Sequence, residues 1–146
     1  MRLKTRTEYA YWALVDLAEH SGNGRPVTIP DIAGRRNIPE RFLLQVMGAL
    51  KRAGLVESVR GKAGGYLLGK TPTEITFYDV YAAMENSNQE LPCATLTTSC
   101  LKTSSNCSLA RVWIDANERL RNQLDSVNLA TMIDEDRERA ALTYHI

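Results

Sequence analysis

A helix gives way to a glycine-rich hairpin within residues 50–68, which read LKRAGLVESVRGKAGGYLL. Before the first glycine the apolar positions follow a helical period, and after it they alternate, which is typical of a β-strand. Two apolar runs, Leu55–Arg60 and Tyr66–Leu68, flank the glycine-rich and basic segment Gly61–Gly65. The pattern predicts a β-hairpin whose tip carries Arg60 and Lys62.

Glycine-rich tips also occur in loops that cradle nucleotide phosphates. Here no Gly-Lys-Ser/Thr sequence follows the segment and no helix opens after it, so the motif of such a loop is incomplete. We therefore interpret the hairpin as a wing that approaches DNA. Its glycines, Gly64 among them, let the backbone come close to phosphates without a side-chain clash.

Two short helices are predicted ahead of the hairpin. The first follows Thr28 and ends near Arg36, and the second runs from Pro39 to about Ala53. The second leaves polar and basic residues on its free face, including Arg41 and Gln45, which matches a helix-turn-helix. We expect a mainly α fold with a small β-hairpin, namely a winged helix-turn-helix domain over residues 1–84. Within it the helix-turn-helix spans 28–53 and the wing spans 55–68.

The rest of the chain is predicted to hold a cysteine loop over residues 85–108, a long dimerisation helix over 109–128 and a C-terminal tail over 129–146. The long helix carries a continuous apolar stripe that is wide enough to pack against a second copy of the chain. We expect the charged run Asp134–Arg139 to be solvated or disordered. The stripe consists of Leu109, Val112, Trp113, Ala116, Leu120, Gln123, Leu124 and Val127.

Charge is distributed unevenly along the 146 residues. Residues 1–70 contain 12 Lys/Arg and 6 Asp/Glu, a balance of +6, whereas residues 71–146 contain 6 and 11, a balance of −5. A basic half suits a phosphate backbone, although ordinary solvated surface would give the same count. No apolar run is long enough to span a membrane, and the N-terminus lacks the apolar core of a signal peptide, so we expect a cytoplasmic protein.

Three cysteines, Cys93, Cys100 and Cys107, have the regular spacing C-x6-C-x6-C. An odd number of clustered thiols in a reducing compartment favours a metal centre over structural disulfides. A zinc site, a redox disulfide with one spare cysteine, and inert surface thiols remain alternatives. The chain offers no nucleophile–base pair, substrate-phosphate motif or second redox cofactor site, so we expect no enzyme and no small-molecule substrate.

With these features in place, the chain resembles the Rrf2 family of bacterial winged-helix regulators, and within it the members that bind iron–sulfur clusters. The resemblance covers nearly the whole chain, and the hairpin run is its most specific part. Three features depart from the pattern: Ala63 replaces a wing glycine, each gap between cysteines is one residue longer, and no histidine lies within the few residues after Cys107. The matching runs are Met1–Leu3, Tyr9–Ala10, Asp31–Ala33, Leu50–Val56, Ser58–Gly61, Gly64–Leu68 and Val127–Ala130.

The resemblance implies an iron–sulfur cluster on Cys93, Cys100 and Cys107, with Glu8 of the opposite subunit as a candidate fourth ligand. Three thiolates and one carboxylate favour [4Fe–4S] over [2Fe–2S], although Glu8 also suits its own helix dipole. We expect a homodimer that binds a double-stranded DNA operator. The residues expected to contact DNA are Thr28, Pro39, Arg41, Gln45, Arg60, Lys62 and Gly64. A cluster-free regulator of the same fold, controlled by a partner protein, by zinc or by thiol oxidation, is the alternative.

Overall fold

The structure is a computed structural model that describes residues 3–85 and 108–144. Its elements are α1 (Thr5–His20), a 3-10 turn (Gly22–Gly24), α2 (Ile29–Arg36), α3 (Glu40–Arg52), β1 (Val56–Val59), β2 (Gly65–Leu68), α4 (Phe77–Glu85), α5 (Ser108–Asp125) and α6 (Leu129–Thr143). The described residues thus form six α-helices and one antiparallel hairpin, which confirms the predicted fold class.

The core forms around α1, which contacts α2, α3 and α4. Its buried face repeats at helical spacing through Ala10, Ala13, Leu14 and Leu17, all without solvent exposure. The second stripe, on α3, consists of Leu43, Val46, Met47 and Leu50. Burying each large aliphatic side chain contributes about 1.5–3 kcal/mol, so these two stripes hold α3 firmly against the domain.

The turn between α2 and α3 is tight because α2 ends on a left-handed residue. Asn37 has φ 52° and ψ 45°, a conformation that asparagine tolerates better than most residues. Ile38 then donates its backbone N–H to the carbonyl of Ala33 at 3.0 Å and buries its side chain in the core. The turn therefore fixes the angle at which α3 leaves α2.

The end of α3 is a Schellman motif that starts the hairpin. Gly54, at φ 72°, donates to the carbonyl of Lys51, and Leu55 donates to that of Leu50, each at 3.0 Å. Leu50 and Leu55 are both buried, which supplies the apolar contact that accompanies this motif. The hairpin pairs Val56 with Leu68 and three further residue pairs in antiparallel register.

The C-terminal region differs from the sequence expectation. The run Asp134–Arg139 belongs to α6 and most of its side chains are exposed, so the run is solvated, as one of the two expectations had it, but helical rather than disordered. Leu129 and Ile133 of α6 are buried in the same core as α1. Asn128 caps the helix by accepting the backbone N–H of Thr131 at 2.9 Å, a local signal that the sequence already carried.

The long helix α5 covers the predicted stripe as far as Leu124 and ends at Asp125, so Val127 lies beyond it. Its first half is exposed, with Leu109 at 70%, Val112 at 65% and Trp113 at 47% of their full accessibility. Toward its end, Arg121 stacks on the ring of Tyr78 in α4 at 4.9 Å. Within residues 3–85 and 108–144, no helix combines the length and the apolar character needed to cross a membrane.

Candidate nucleic-acid interface

The N-terminal half of α3 presents the two side chains predicted to read base edges. Because the apolar stripe faces the core, Arg41 and Gln45 fall on the opposite, exposed face. Pro39 is the N-cap residue, and its carbonyl accepts the backbone N–H groups of Phe42 and Leu43 at 3.0 Å. The Arg41 guanidinium lies 5.4 Å from the Phe42 ring centroid, which restrains it without occupying its hydrogen-bond donors.

Thr28 caps α2 at the edge of the same surface. Its hydroxyl oxygen accepts the backbone N–H of Asp31 at 3.3 Å and donates its proton to the Asp31 carboxylate at 2.6 Å. The hydrogen bond from the Thr28 hydroxyl lowers the pKa of Asp31. A helix N-terminus attracts phosphates. Here, however, the ionised Asp31 carboxylate occupies that end, so Thr28 has first a structural role.

The hairpin tip exposes Arg60 and Lys62 at the end of β1. Gly64 donates its backbone N–H to the carbonyl of Gly61 at 3.0 Å, closing the tip on itself. A Cβ atom on Gly64 would lie 2.4 Å from the carbonyl oxygen of Val59, so no side chain fits there. Gly64 is therefore required by the turn itself, whatever its approach to a phosphate.

The geometry of the same turn explains why an alanine, Ala63, fits where the family pattern has a glycine. Gly61, at φ 115°, has a backbone conformation that favours glycine, whereas Ala63 is exposed and has no positive φ. At the base of the hairpin Gly65 passes close to Val27, whose carbonyl oxygen would lie 2.5 Å from a Cβ atom. Val27 and Tyr66 exchange backbone hydrogen bonds there, which ties the wing to the loop before α2.

Two arginines that the sequence count assigned to a basic surface are in fact paired with acids. Asp16 is fully buried in α1, and its carboxylate accepts three hydrogen bonds from Arg35, at 2.7, 3.0 and 3.3 Å, and one from Arg36 at 3.2 Å. Arg36 also binds Glu19. Hydrogen bonding to Asp16 raises the pKa of Arg35. These pairs position α2 on α1 and remove two cations from the surface available to DNA.

Sequence reasoning missed this buried carboxylate, although a signal existed. Asp16 sits between Val15 and Leu17 on the apolar face of α1, where an acid is costly without a cationic partner. The helical period alone could not identify its partners, because Arg35 and Arg36 come from another helix.

The N-terminus of α1 is fastened to the end of α4, immediately before the cysteine segment. The carboxylate of Glu85 accepts a hydrogen bond from the Thr7 hydroxyl at 2.8 Å and binds the Lys4 ammonium at 2.6 Å. Partial burial acts to raise the pKa of Glu85, but the bonds from Lys4 and Thr7 outweigh it, and the net shift is downward. Thr7 is itself buried, so this carboxylate links the interior of the domain to the entry of the cysteine segment.

The proposed metal ligands fall in two groups. Cys93, Cys100 and Cys107 lie outside the described residues. Glu8 is exposed in the first turn of α1, and its carboxylate makes no hydrogen bond or ion pair within the described ranges. Its carboxylate is thus available as an oxygen donor, whereas His20 binds the carbonyl of Asp16 through Nδ1 at 2.9 Å. The described ranges contain no group of three His, Cys, Asp or Glu residues that would hold a metal by itself.

Known proteins match the chain over most of its length. A family model described as "Rrf2: Iron-dependent Transcriptional regulator" matches residues 3–135. The HTH-type transcriptional regulator IscR of Serratia proteamaculans is 37% identical over 134 residues, 92% of this chain and 80% of that protein. These matches run from α1 into α6 and include every residue proposed to contact DNA.

Solved structures agree with the sequence matches. IscR of T. potens superimposes with a TM-score of 0.73 at 31% identity, covering 95% of this chain and 90% of that chain. CymR (YrzC), the global cysteine regulator of B. subtilis, superimposes with a TM-score of 0.70 at 26% identity, covering 92% and 98%. Both similarities extend through the arrangement of helices and hairpin described above.

Proposed function

The chain belongs to the Rrf2 family of DNA-binding transcriptional regulators, and we propose that it is a homodimer whose operator affinity is set by an iron–sulfur cluster. The observation that carries the DNA-binding part is the exposure of Arg41, Gln45, Arg60 and Lys62 on α3 and the hairpin tip. None of the three cations has an acidic partner within the described residues, in contrast to Arg35 and Arg36.

The chemistry of α3 suits base-edge contacts in the major groove. Arginine pairs well with the acceptor edge of guanine, and glutamine with adenine. Arg60 and Lys62 extend from the wing toward flanking phosphates or the minor groove. Two copies of α3, related by a two-fold axis, would then occupy half-sites one helical turn apart, so the operator is an approximate palindrome.

The second copy is the partner that the exposed face of α5 suits best. Val112 and Trp113 lie on one face of this helix and keep about half or more of their surface in solvent. An unburied apolar face on a helix that extends from a small domain is typical of a self-complementary interface.

The donor set fits an iron–sulfur cluster. Three clustered cysteines supply thiolate ligands, which such clusters require, and Glu8 offers an unengaged carboxylate oxygen as a fourth ligand from the opposite subunit. We favour [4Fe–4S] over [2Fe–2S] for this set. When bound, the cluster supplies a centre whose presence and oxidation state respond to iron, nitric oxide or oxidants. The description of the matching family as iron-dependent supports the assignment.

The cysteine segment is connected to the DNA-binding helices through Glu85. This carboxylate binds Thr7, which lies in α1, and Lys4, which immediately precedes α1. Helix α1 packs directly against α3. At its other end the segment leads into α5. A change in the segment therefore acts both on the α1–α4 junction and on the spacing of the two protomers, which shifts the population that can bind DNA.

Anaerobic purification tests the cofactor. We expect a brown protein with visible charge-transfer absorption and stoichiometric iron and sulfide. Glu8→Ala should leave iron bound but release it faster to a chelator, while Glu40→Ala, an exposed acid at the start of α3, serves as the control for lost charge. A colourless protein with no metal would refute the cluster, and unchanged release from Glu8→Ala would remove Glu8 from the ligand set.

The structural similarity to CymR, a regulator of cysteine metabolism, supports a second candidate function. In this alternative the same fold binds DNA without a cluster, and a partner protein, zinc or oxidation of the cysteines controls it. Stoichiometric zinc in the purified protein, or a DNA affinity that depends only on thiol oxidation, would favour the alternative.

A further inference from the structure

A groove of about 550 Å³ separates the N-terminus of α1 from α3. Three cationic side chains line it, Lys4 and Arg6 from the start of α1 and Arg52 from the last turn of α3. Gln45, the proposed base-reading residue, lines the same groove, and the rings of Tyr9 and Phe42 contribute apolar walls. The groove is thus continuous with the face of α3 that we assign to the operator.

The charges in this groove are not balanced. Lys4 binds Glu85 at 2.6 Å, but Arg6 and Arg52 have no acidic partner within 4 Å in the described part of the chain. Two uncompensated guanidinium groups on one concave surface repel each other and attract an anion. By contrast, Arg35 and Arg36 have a structural role, and both are neutralised by ion pairs with Asp16 and Glu19.

The position of Arg52 matches the spacing of a DNA backbone. It follows Gln45 by seven residues, about 10 Å along α3 at 1.5 Å per residue. That length equals about three base-pair rises of 3.4 Å along the duplex axis. When Gln45 contacts a base, Arg52 therefore lies near phosphates that flank the contacted bases. Arg6 lines the same groove from α1.

We propose that Arg6 and Arg52 bind phosphates of the operator, so that the DNA interface extends beyond α3 and the wing to the N-terminus of α1. The site takes a phosphodiester, and the walls formed by Tyr9 and Phe42 hold the arginine stems against apolar surface. This inference rests on the proposed DNA-binding function. Arg6 lies two residues before Glu8 and one before Thr7, so the same turn of α1 serves both the DNA and the cysteine segment.

Salt dependence of binding tests the proposal. A 30-bp duplex selected from a randomised pool, and a non-selected duplex of equal length, are titrated with wild type and with Arg6→Gln/Arg52→Gln at several salt concentrations. Each phosphate contact contributes about 0.9 to the slope of log affinity against log salt, so the double variant, which removes two contacts from each protomer of the proposed dimer, should lose about 3.6. Because phosphate contacts are independent of sequence, both duplexes should weaken by the same factor.

Two control variants separate this role from a structural one. Arg137→Gln/Arg139→Gln removes the same charge from exposed positions on α6 and should keep the wild-type slope. Arg52→Lys keeps a cation in the groove and should also keep the slope. An unchanged slope in Arg6→Gln/Arg52→Gln, or an equal loss in the α6 control, would overturn the proposal.

A small anion is the competing occupant, and inorganic phosphate serves as its probe. If phosphate raised the melting temperature of wild type but not of Arg6→Gln/Arg52→Gln, while the DNA slope stayed unchanged, the groove would be a free-anion site and the proposal would be wrong. A wild-type protein that bound no selected duplex in any metal state would overturn the proposed function as well. Wild-type binding with an unaltered slope in the variant would overturn this inference alone.

Discussion

At the hairpin tip, some residues are required by the geometry of the turn, and others are exposed and proposed to contact DNA. Gly64 has no space for a Cβ atom, and Gly61 has a φ that other residues avoid. Arg60 and Lys62, by contrast, are exposed and contribute nothing to the core. Substitutions at these two kinds of position should therefore affect different measurements.

Arg60→Ala should weaken operator binding by about 1–3 kcal/mol, roughly 5- to 150-fold, because it removes a cation proposed to contact the phosphates or the minor groove of the DNA. The free energy of unfolding and any visible absorption should stay at wild-type values. Fluorescence anisotropy with the selected duplex measures the affinity, and Arg139→Ala on α6 provides the same loss of charge away from the wing. Equal affinities for wild type and Arg60→Ala would refute the wing assignment.

Gly64→Ala should destabilise the protein by about 1–3 kcal/mol, because its methyl group would collide with the carbonyl of Val59. Ala63→Gly, one residue earlier, should cost less than about 1 kcal/mol, since its backbone needs no positive φ and only the unfolded chain gains freedom. Urea denaturation of both variants gives the comparison. A Gly64→Ala protein as stable as Ala63→Gly would contradict the geometry of the tip.

At the scale of elements, local chemistry predicted much of the fold. The Asn37 turn, the Gly54 cap and the alternating hairpin residues are short-range signals, and the structure confirms α2, α3, β1 and β2 close to their expected bounds. The pairing of Asp16 with α2 and the return of α6 to the core depend on residues far apart in sequence. A charged helix such as α6 also looks solvated when its contacts with the domain, the buried Leu129 and Ile133 and the hydrogen bond from Tyr11 to Asp136, come from residues far apart in sequence.

The candidate site was predictable to a similar extent. Exposure of Arg41 and Gln45 followed from the helical period, and the structure places both on the free face of α3. The groove that joins Arg6 to Arg52 was not predictable, because it arises only when α1 packs beside α3. The contribution of Arg35 and Arg36 to a basic surface was overestimated for the same reason.

The junction between α1 and α4 should show a defined dependence on pH. The folded-state pKa of Glu85 lies below its ordinary value of 4.5, so its bonds to Thr7 and Lys4 stabilise the fold above that pH. This contribution is lost as the pH falls through the folded-state pKa. Glu85→Gln should therefore cost about 1 kcal/mol near neutrality, and the difference from wild type should shrink below pH 4.5.

Urea denaturation between pH 3 and pH 7 measures this difference. Glu138→Gln, an exposed acid on α6 that forms no ion pair within the described residues, is the matched control and should follow wild type throughout. A gap between wild type and Glu85→Gln that stayed constant down to pH 3 would show that the ionised carboxylate contributes nothing at this junction.

At the scale of the assembly, the proposed homodimer would place the exposed cations on α3 and the wing of two protomers along one operator. Val112→Glu introduces a charge into the exposed apolar stripe of α5 and should convert the dimer to a monomer at micromolar concentration. Sedimentation velocity measures the state. Asn122→Glu adds the same charge outside the stripe and should remain dimeric, whereas a dimeric Val112→Glu would contradict the assigned interface.

The cysteine segment connects the DNA-binding unit to the proposed dimer helix. Cys93, Cys100 and Cys107 lie between Glu85, which holds α1, and α5, which is proposed to hold the second protomer. We therefore propose that their chemistry acts on DNA binding by altering how the two copies of α3 are held. We therefore predict that the free energy of binding a cluster at the cysteines and the free energy of binding the operator are coupled.

The affinity of the selected duplex for anaerobically purified protein, before and after removal of iron by a chelator, tests this coupling most directly. Both forms are titrated at one salt concentration, with sedimentation confirming that both are dimers. We predict that the two affinities differ by at least about fivefold, the lower range of typical coupling between sites. Equal affinities for the iron-loaded and iron-free dimers would contradict the account.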